Sequence, residues 1–594
     1  MRDQLTCLRK KMQENGIDYY LVPTDDFHAS EYTGDYFKCR AFLSGFTGSA
    51  GTCVVSSDFA GLWTDGRYFL QASRQLEGTG FELMKMDQPG VPDIHSFIQG
   101  HLKSGATLGF DGRTVSLREY RFYQKLAEEC GAFLRTDVDL VGEIWADRPP
   151  LSAKPVFEMP DEYTGMTRHE KLNKIREFLQ KEKCDFLLLS SLTDIAYTLN
   201  IRGDDVACTP VVLSYLMISQ SGASLFVNQS VLSDEIIRHL AEDHVALQDY
   251  GDVYKALSAL TAGTRIYYDP SVVNSALISS IPSNVETVEG RNPTVIMKGI
   301  KNPVEVEHFR KAHIRDGVAV TRFMYWLKKN VGKIPMTEIS AAEKLESFRK
   351  EQPLYIGPSF SPIMAFAESG AIVHYHVTEE TCAKIEPRSF LLADTGGQYM
   401  DGTTDITRTF ALGELTDEEK KMYTLVLLGH LHLGHAKFRY GTSGANLDYL
   451  AREPLWRYGL DYNHGTGHGV GYVLSVHEGP QSFRYQKMNV LHSEILEPGM
   501  VTSDEPGIYL EGKFGVRLEN LTVVCEDETT EYGRFLRLDY LTMVPWDLDA
   551  IDFSLMTDAD RTLLNQYHEE VRRNILPYLE GDEAEWLKQA TRAV

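Results

Sequence analysis

The sequence predicts a mixed α/β (α+β) fold in which two related α/β domains precede a larger region of long helices and alternating strands. Charged helices alternate with short apolar strands in the first half of the chain, a Pro-rich linker at residues 148–155 divides that half, and the same order of elements then begins again. We therefore expect three domains, over residues 1–155, 156–295 and 296–530, and a C-terminal extension over residues 531–594.

The expected repeat depends on two helix–strand units. A helix near residues 5–14 leads into a strand near residues 18–24, and a second charged helix at residues 169–183 leads into a similar strand at residues 184–190. Residues 52–55 predict a further strand in the first domain. The alternative is one large α/β domain, in which any strand followed by a helix looks alike.

The third region is expected to begin with a helix at Asn302, because Pro303 suits the first turn of a helix. The chain after residue 540 differs in character and predicts a helix that starts near Thr557. Apolar residues recur there at helical spacing. They are Leu563, Leu564, Tyr567, Val571 and Ile575.

Composition and charge narrow the possible partners. The 594 residues carry a net charge of -24 with a pI near 5.2, and such an acidic surface argues against nucleic acid or an anionic membrane as the main partner. The charged N-terminus lacks the apolar core of a signal peptide, and no run of about 18 apolar residues predicts a membrane span. The eight cysteines include no C-x-x-C pair, which favours thiols in a reducing compartment over a thiolate zinc site. We expect a cytoplasmic protein.

Two aspartates stand at the ends of neighbouring predicted strands. An apolar strand ends at Asp394, the chain turns at Gly396 and Gly397, and a Thr-rich alternating strand returns past Asp405. A hairpin of this kind can bring both carboxylates to one place. Taken alone, the pair is better explained by ordinary turn or surface aspartates.

Three histidines lie among glycines in a short segment. His464, His468 and His477 fall within fourteen residues, and the glycines between them allow close backbone approach. A nucleotide-binding loop is a weak interpretation, because no clean strand precedes the segment and no helix follows it. A lone histidine would more often be structural, but three together favour a site.

Two glutamates complete the candidate residues. Glu505 is expected at the end of a strand, before a Pro-Gly turn, and Glu519 inside an apolar, β-branched strand. An unpaired carboxylate in such a strand would cost several kcal/mol. Arg517 is expected on the same face as Glu519 and could neutralise it, so a buried Arg–Glu pair is the alternative explanation.

Together these residues predict a dinuclear metal site. Its ligands would be Asp394, Asp405, His468, Glu505 and Glu519. Four carboxylates and one imidazole carry about four negative charges, which two divalent cations would balance. Oxygen-rich ligands with one histidine favour Mn²⁺, with Zn²⁺ or Co²⁺ possible. Two such ions about 3.5–4 Å apart can hold a bridging hydroxide for hydrolysis.

This constellation resembles the pita-bread metallopeptidases of family M24, whose ligands come as Asp, Asp, His, Glu, Glu with an eleven-residue step between the aspartates. Within that family the likeness is to the three-domain, cytosolic-type Xaa-Pro aminopeptidases and covers essentially the whole chain. The matching stretches are residues 64–72, 371–375, 401–409, 464–471 and 476–480. The resemblance implies two creatinase-like N-terminal domains, a pita-bread catalytic domain and an extension associated with homodimers.

The resemblance also implies roles for individual residues. His374, His464 and His477 match catalytic and substrate-lining histidines, and Glu505 matches the ligand that takes a proton from the bridging water. Arg517 matches an arginine that orients the site, and Arg67 one that approaches the substrate. His374 is expected in an extended segment, on the same side as His376, which has no matching role.

The implied reaction is hydrolysis of the bond between a peptide's first residue and a penultimate proline. Two alternatives stay open on the sequence alone. One is a prolidase limited to Xaa-Pro dipeptides, and the other is a metal-free pita-bread module that only binds peptides.

Overall fold

The computed structural model describes residues 3–485 and 494–594. Contacts between residues divide the chain into two compact units: Met1–Met159 with Met166–Thr294, and Pro160–Gly165 with Val295–Val594. Among the described residues, the first unit contains two six-stranded sheets.

The first sheet has the strand order β4-β3-β2-β1-β5-β6. Its strands are β1 (Tyr19–Val22), β2 (Thr52–Val55), β3 (Ala60–Thr64), β4 (Glu82–Lys85), β5 (Thr107–Gly109) and β6 (Phe133–Arg135). The helices of this part are α1 (Asp3–Asn15), α2 (Cys39–Ser44), α3 (Phe69–Gln75), α4 (Ile94–His101), α5 (Leu117–Cys130) and α6 (Leu140–Ile144). Leu5, Leu8 and Met12 of α1 are buried, so the amphipathic helix expected there is confirmed.

The second sheet has the order β12-β11-β10-β8-β13-β14, and a separate pair joins β7 to β9. The strands are β7 (Phe157–Glu158), β8 (Phe186–Leu189), β9 (Ile201–Arg202), β10 (Ser214–Ser219), β11 (Ala223–Val227), β12 (Val245–Gln248), β13 (Arg265–Tyr268) and β14 (Glu286–Glu289). The helices of this part are α8 (Arg168–Glu182), α9 (Leu192–Leu199), α10 (Asp234–Glu242), α11 (Val253–Ser258) and α12 (Ser275–Ser279). Two further helices are α7 (Asp161–Thr164), which belongs to the second unit, and α13 (Pro293–Gly299), which begins in the first unit and ends in the second.

The two sheets repeat one topology. In each, the first long strand (β1 or β8) pairs antiparallel with the next strand of its sheet (β2 or β10) and parallel with the fifth (β5 or β13). The outer pairs, β3 with β4 and β11 with β12, are parallel in both. The expected tandem repeat is therefore confirmed, and the single large α/β domain is not what forms.

Buried polar contacts join the two halves of the first unit. The His28 ring is fully enclosed; its Nδ1 lies 2.8 Å from the carbonyl oxygen of Ser190 and its Nε2 lies 2.7 Å from the Tyr250 hydroxyl. The Asn274 amide donates a 2.8 Å hydrogen bond to the carbonyl of Phe27. Each buried polar group thus gains a partner across the junction, as burial requires.

The second unit combines long helices with several small sheets. Its helices are α14 (Pro303–Asn330), α15 (Glu338–Lys350), α16 (Asp417–Gly434), α17 (Gly444–Trp456), α18 (Asp558–Ile575) and α19 (Gly581–Ala590). Its strands are β15 (Tyr355–Pro358), β16 (Ile363–Phe366), β17 (Phe390–Thr395), β18 (Gly397–Tyr399), β19 (Gly402–Thr403), β20 (Ile406–Ala411), β21 (Lys437–Arg439), β22 (Gly467–His468), β23 (Ser482–Phe483), β24 (Val501–Asp504), β25 (Gly507–Leu510), β26 (Phe514–Arg517), β27 (Asn520–Thr530) and β28 (Gly533–Tyr540).

Local sequence explains where the key helices begin. The Asn302 side chain accepts hydrogen bonds from the amides of Val304 and Glu305, and Pro303 occupies the first turn of α14. Thr557 caps α18 in the same way. The apolar residues predicted for α18 enter the core, where Leu564, Tyr567, Val571 and Ile575 are buried and Leu563 is partly buried. No helix among the described residues has the length and apolarity that crossing a membrane requires.

Candidate metal centre

The hairpin predicted around the two aspartates is present. Strands β17 and β20 pair antiparallel, with Asp394 opposite Thr407 and Thr395 opposite Ile406. Asp405 immediately precedes β20, and both aspartates are buried. The turn is longer than expected, because β18 and β19 form a second small hairpin between the two strands.

His468 reaches this hairpin from β22. Its Nε2 lies 3.5 Å from Asp405 Oδ2 and 3.7 Å from Glu505 Oε1. The Nδ1 atom lies 3.0 Å from the carbonyl oxygen of Gly469, a partner that fixes Nδ1–H as the donor. In the neutral ring, Nε2 is therefore the nitrogen that can bind a metal ion. Metal-binding histidines in proteins commonly have their other nitrogen bonded to a carbonyl in this way.

The two glutamates approach from the chain around β24 and β27. Glu505 follows β24, and its amide donates to the carbonyl of Thr466 at 2.8 Å. Glu519 lies in a break between β26 and β27 and not inside one strand as predicted. The break arises because β26 pairs with β25, whereas β27 pairs with β24 and β28.

Arg517 also departs from the prediction. It does not pair with Glu519; its Nη2 and Nε lie 2.6 and 3.2 Å from Asp394 Oδ2. The break after β26 ends the alternation that would have placed residues 517 and 519 on one face. Thr407, opposite Asp394, donates instead to Glu519 Oε2 at 2.7 Å.

Orphaned oxygens show that these residues fit metal ions. Asp394 Oδ1 and Glu519 Oε1 are buried, and neither has a hydrogen-bond partner among the described residues. One donor atom each from Asp405, His468 and Glu519 lies within 4.8 Å of the others. Buried carboxylates without partners are costly, and divalent cations would supply the missing interactions.

The electrostatics lead to the same fit. Burial raises the pKa of Glu505 to about 7 and that of Glu519 well above its ordinary value, and the neighbouring carboxylates add to both effects. Burial likewise raises the pKa of Asp394 despite the charge of Arg517. Burial disfavours charge on His468, yet its contact with Asp405 and the charge of Glu505 raise its pKa to about 9. The cluster therefore attracts positive charge.

Tyr509 is a residue that sequence reasoning missed. Its hydroxyl accepts from Arg517 Nη1 at 2.8 Å and lies 2.8 Å from His464 Nε2. His464 Nδ1 lies 2.7 Å from the carbonyl of Gly465, so Tyr509 donates to Nε2. Burial lowers the pKa of His464 to about 3, which keeps the ring neutral. No local pattern signals this role, because the contacts of Tyr509 depend on the pairing of β25 with β26 and on the position of His464.

The other two histidines lie on irregular segments. The ring centroid of His477 lies 4.3 Å from that of His468, with the rings nearly perpendicular. His374 lies in a turn between β16 and β17 and is partly buried, whereas His376 is exposed. The extended segment predicted there is wrong, because the Tyr375 amide closes a turn by donating to the carbonyl of Ile372.

Arg67 belongs to the first unit. It lies between β3 and α3, where its Nε and Nη2 donate to Asp65 at 2.9 and 2.8 Å. Its guanidinium also lies 5.3 Å from the ring centroid of Tyr68.

Known families match the chain along its length. Residues 307–526 match metallopeptidase family M24, and residues 534–594 match the C-terminal region of that peptidase family. Residues 4–148 and 147–305 each match the creatinase/prolidase N-terminal domain. The fold and the site thus define a metallopeptidase with two creatinase-type domains ahead of its catalytic domain.

Whole-length relatives narrow the family further. A probable Xaa-Pro aminopeptidase P of Neurospora crassa is 40% identical over 608 residues, covering 99% of this chain and 88% of that protein. Aminopeptidase P1 of Lotus japonicus is 35% identical and covers 100% of both. X-prolyl aminopeptidase of Caenorhabditis elegans, described as a cytosolic enzyme with a di-nuclear active site, has a TM-score of 0.94 at 34% identity, covering 100% of this chain and 99% of that one. The chain belongs to the Xaa-Pro aminopeptidases of family M24 and is a metallo-aminopeptidase.

Proposed function

We propose that the protein removes the first residue from peptides whose second residue is proline. The observation that carries the proposal is a group of four carboxylates with His468, in which Asp394, Asp405 and Glu519 are buried and Glu505 is partly buried, and in which Asp394 and Glu519 keep orphaned oxygens. The names of the full-length relatives support the choice of substrate. Proline lacks an amide N–H, so a site that recognises such peptides must pack against the ring and bind the flanking groups.

Metal binding is assigned to five residues in this proposal. They are Asp394, Asp405, His468, Glu505 and Glu519. The donor set of four carboxylates and one imidazole favours two Mn²⁺ ions, with Zn²⁺ or Co²⁺ as substitutes. When bound, such ions would activate water as a nucleophile and polarise the scissile carbonyl.

The chain's own residues position the substrate and move protons. Glu505 takes the proton of the attacking water. His374 and His477 bind the scissile carbonyl, support the tetrahedral intermediate and shape the proline pocket. His464, the third histidine of this set, has partners at both ring nitrogens, so it lines the substrate site as a neutral ring bonded to Tyr509. Arg517, held between Asp394 and Tyr509, fixes the orientation of that carboxylate.

The test is turnover of Xaa-Pro-Xaa tripeptides by the full chain with Mn²⁺, compared with Xaa-Pro dipeptides and Xaa-Ala-Xaa tripeptides. We expect hydrolysis of the Pro-containing tripeptides alone, and loss of that activity in Asp405→Asn. Turnover confined to dipeptides would identify a prolidase. A protein that binds no metal in elemental analysis and gains no activity from Mn²⁺ would be a peptide-binding module.

Three finer assignments accompany this function. We assign the protein to the cytoplasm, and its likeness to a protein described as cytosolic supports this assignment. We also propose that it forms a homodimer through its C-terminal extension, which matches a C-terminal region of the peptidase family. The functional division follows residues 1–155, 156–295, 296–530 and 531–594. Arg67 approaches the substrate, so Arg67→Ala should raise KM more than it lowers kcat. Sedimentation of the full chain tests the dimer.

A further inference from the structure

A fully buried glutamate forms three hydrogen bonds with the segment that carries His374. Glu338 is the first residue of α15, and its side chain has no solvent-exposed surface. Its Oε1 accepts a 2.8 Å hydrogen bond from the amide of Phe366. Its Oε2 accepts from the Tyr375 hydroxyl and from the amide of Ala383, both at 2.8 Å.

These three bonds hold the segment at its beginning, middle and end. Phe366 is the last residue of β16, Tyr375 directly follows His374, and Ala383 precedes the return of the chain into β17. Irregular segments are ordinarily the mobile parts of a fold, and one carboxylate here adds three hydrogen bonds to the segment's own turns and to its backbone contact with the start of α15. Hydrogen bonds to an ionised acceptor are about twice as strong as neutral ones.

Helix capping does not explain Glu338. Acidic residues are favoured in a first helical turn because they interact with the helix dipole, but they do so from the surface. The cap of α15 is already made by Thr337 and Ser340. The three donors that reach Glu338 lie 28, 37 and 45 residues further along the chain, so the carboxylate serves that distant segment.

The hydrogen bond from Tyr375 to Glu338 restrains the backbone next to His374. The Tyr375 ring is buried against Ala365 and Leu392, and its hydroxyl is fixed by Glu338. The backbone on the C-terminal side of His374 therefore cannot shift without breaking a buried, charge-assisted bond. Displacement of a catalytic group by about 1 Å can cost about 10²-fold in rate.

We propose that Glu338 is a positioning residue for His374: it holds the His374 segment in the geometry that the substrate carbonyl requires. This inference rests on the proposed function, because the role of His374 does. Glu338 does not touch the reacting atoms and acts only through the histidine.

The decisive experiment is a double-mutant cycle with Glu338→Gln and His374→Ala, assayed by kcat on an Xaa-Pro-Xaa tripeptide. Glutamine keeps the shape but directs an N–H group toward donors, so we expect Glu338→Gln to lower kcat by about 10–100-fold. In the His374→Ala background the same change should lower kcat by less than about threefold. Tyr375→Phe, which removes only the middle bond, should give a smaller loss with the same dependence on His374.

The control is Glu343→Gln, an exposed glutamate on the same helix, which should leave kcat unchanged. Bound metal, measured by elemental analysis, should be the same in every variant. Equal losses in both backgrounds would show a general structural role and overturn the inference, as would unchanged kcat in Glu338→Gln. If that variant does not fold, the Tyr375→Phe cycle decides in the same way. Absence of wild-type tripeptide turnover would refute the proposed function itself, and this inference with it.

Discussion

Two buried carboxylate clusters lie on opposite sides of one hairpin, and they differ in how completely their oxygens are bonded. On one side, Asp316 receives both ends of the Arg349 guanidinium at 2.7 and 3.1 Å, together with the hydroxyls of Tyr399 and Thr404. On the other side, Asp394 and Glu519 each keep a buried oxygen without a partner among the described residues.

The hairpin sequence itself separates the clusters. Thr395 and Thr404 contact the Arg349–Asp316 pair, while their chain neighbours Asp394 and Asp405 enter the metal centre. Successive residues of a strand face opposite sides, so one hairpin serves both. The difference teaches that burial of charge alone does not define a functional site. Saturated hydrogen bonding indicates a structural pair, whereas several unsaturated carboxylates gathered with an imidazole indicate a place for a cation.

The largest predicted effect is a loss of activity that only substitutions in the candidate metal centre should cause. Asp405→Asn removes a charge from the metal centre, so kcat/KM on an Xaa-Pro-Xaa tripeptide should fall by about 10³-fold or more. The metal-depleted variant should differ little in stability from metal-depleted wild type, because the relief of repulsion among the carboxylates offsets the lost attraction between Asp405 and His468. A large loss of stability in urea unfolding of the metal-free variant would contradict this view of the cluster.

Arg349→Met should have the opposite pattern, with a large loss of stability at the Asp316 cluster. Breaking a buried ion pair leaves Asp316 uncompensated and should lower the free energy of unfolding by about 3–5 kcal/mol. Urea unfolding of metal-depleted protein measures this loss. The matched control is Lys350→Met, whose exposed side chain lies 3.6 Å from Glu346 and should matter by less than about 1 kcal/mol. Equal effects of the two substitutions would show that the Asp316 cluster is not structural.

Metal removal should act on one cluster only. At free Mn²⁺ of about 100 times Kd, the free energy of unfolding should rise by about 2.7 kcal/mol for each independent site. Arg349→Met should keep that increment, whereas Asp405→Asn should lose most of it. Chemical unfolding with Mn²⁺ and with a chelator measures the increments. A variant of the Asp316 cluster that abolished the increment would mean that the clusters are coupled.

A third buried polar group gives the smallest effect. His568 accepts a hydrogen bond from the amide of Trp546 at Nε2, and its Nδ1 has no partner among the described residues. Burial lowers the pKa of His568 to about 3, below its unfolded value of about 6.5. The stabilising contribution is therefore fully present above about pH 6.5 and is lost as pH falls toward about 3.

Between pH 7.5 and 5, protonation of His568 in the unfolded chain should lower the free energy of unfolding of wild type by about 2 kcal/mol. His568→Gln should lack this contribution to the pH dependence. Urea unfolding at both pH values provides the comparison, with the exposed Glu569→Gln as control. Equal pH dependence in wild type and His568→Gln would rule out the histidine as its source.

The hairpin that carries Asp394 and Asp405 is easier to predict from the sequence than the contacts around it. Asp394 and Asp405 could be paired because strand alternation and a glycine turn are local patterns. The partner of Arg517 could not be predicted, because it depends on where β26 ends and on which strand lies opposite, and neither is local. The hydrogen-bond partners of Asp316 and Glu338 could not be predicted either. Each residue lies on a helix, and the groups that it bonds lie tens of residues away in the chain.

The repeated topology of the N-terminal sheets also bears on biosynthesis. Adjacent domains with one strand order can exchange strands, a characteristic failure of tandem repeats. Synthesis at about 5–20 residues per second separates completion of the two sheets by roughly ten seconds or more, whereas small mixed α/β domains typically fold in less than about a second. The first sheet can therefore close before its duplicate exists, and the order of translation protects a pairing that topology alone would leave ambiguous.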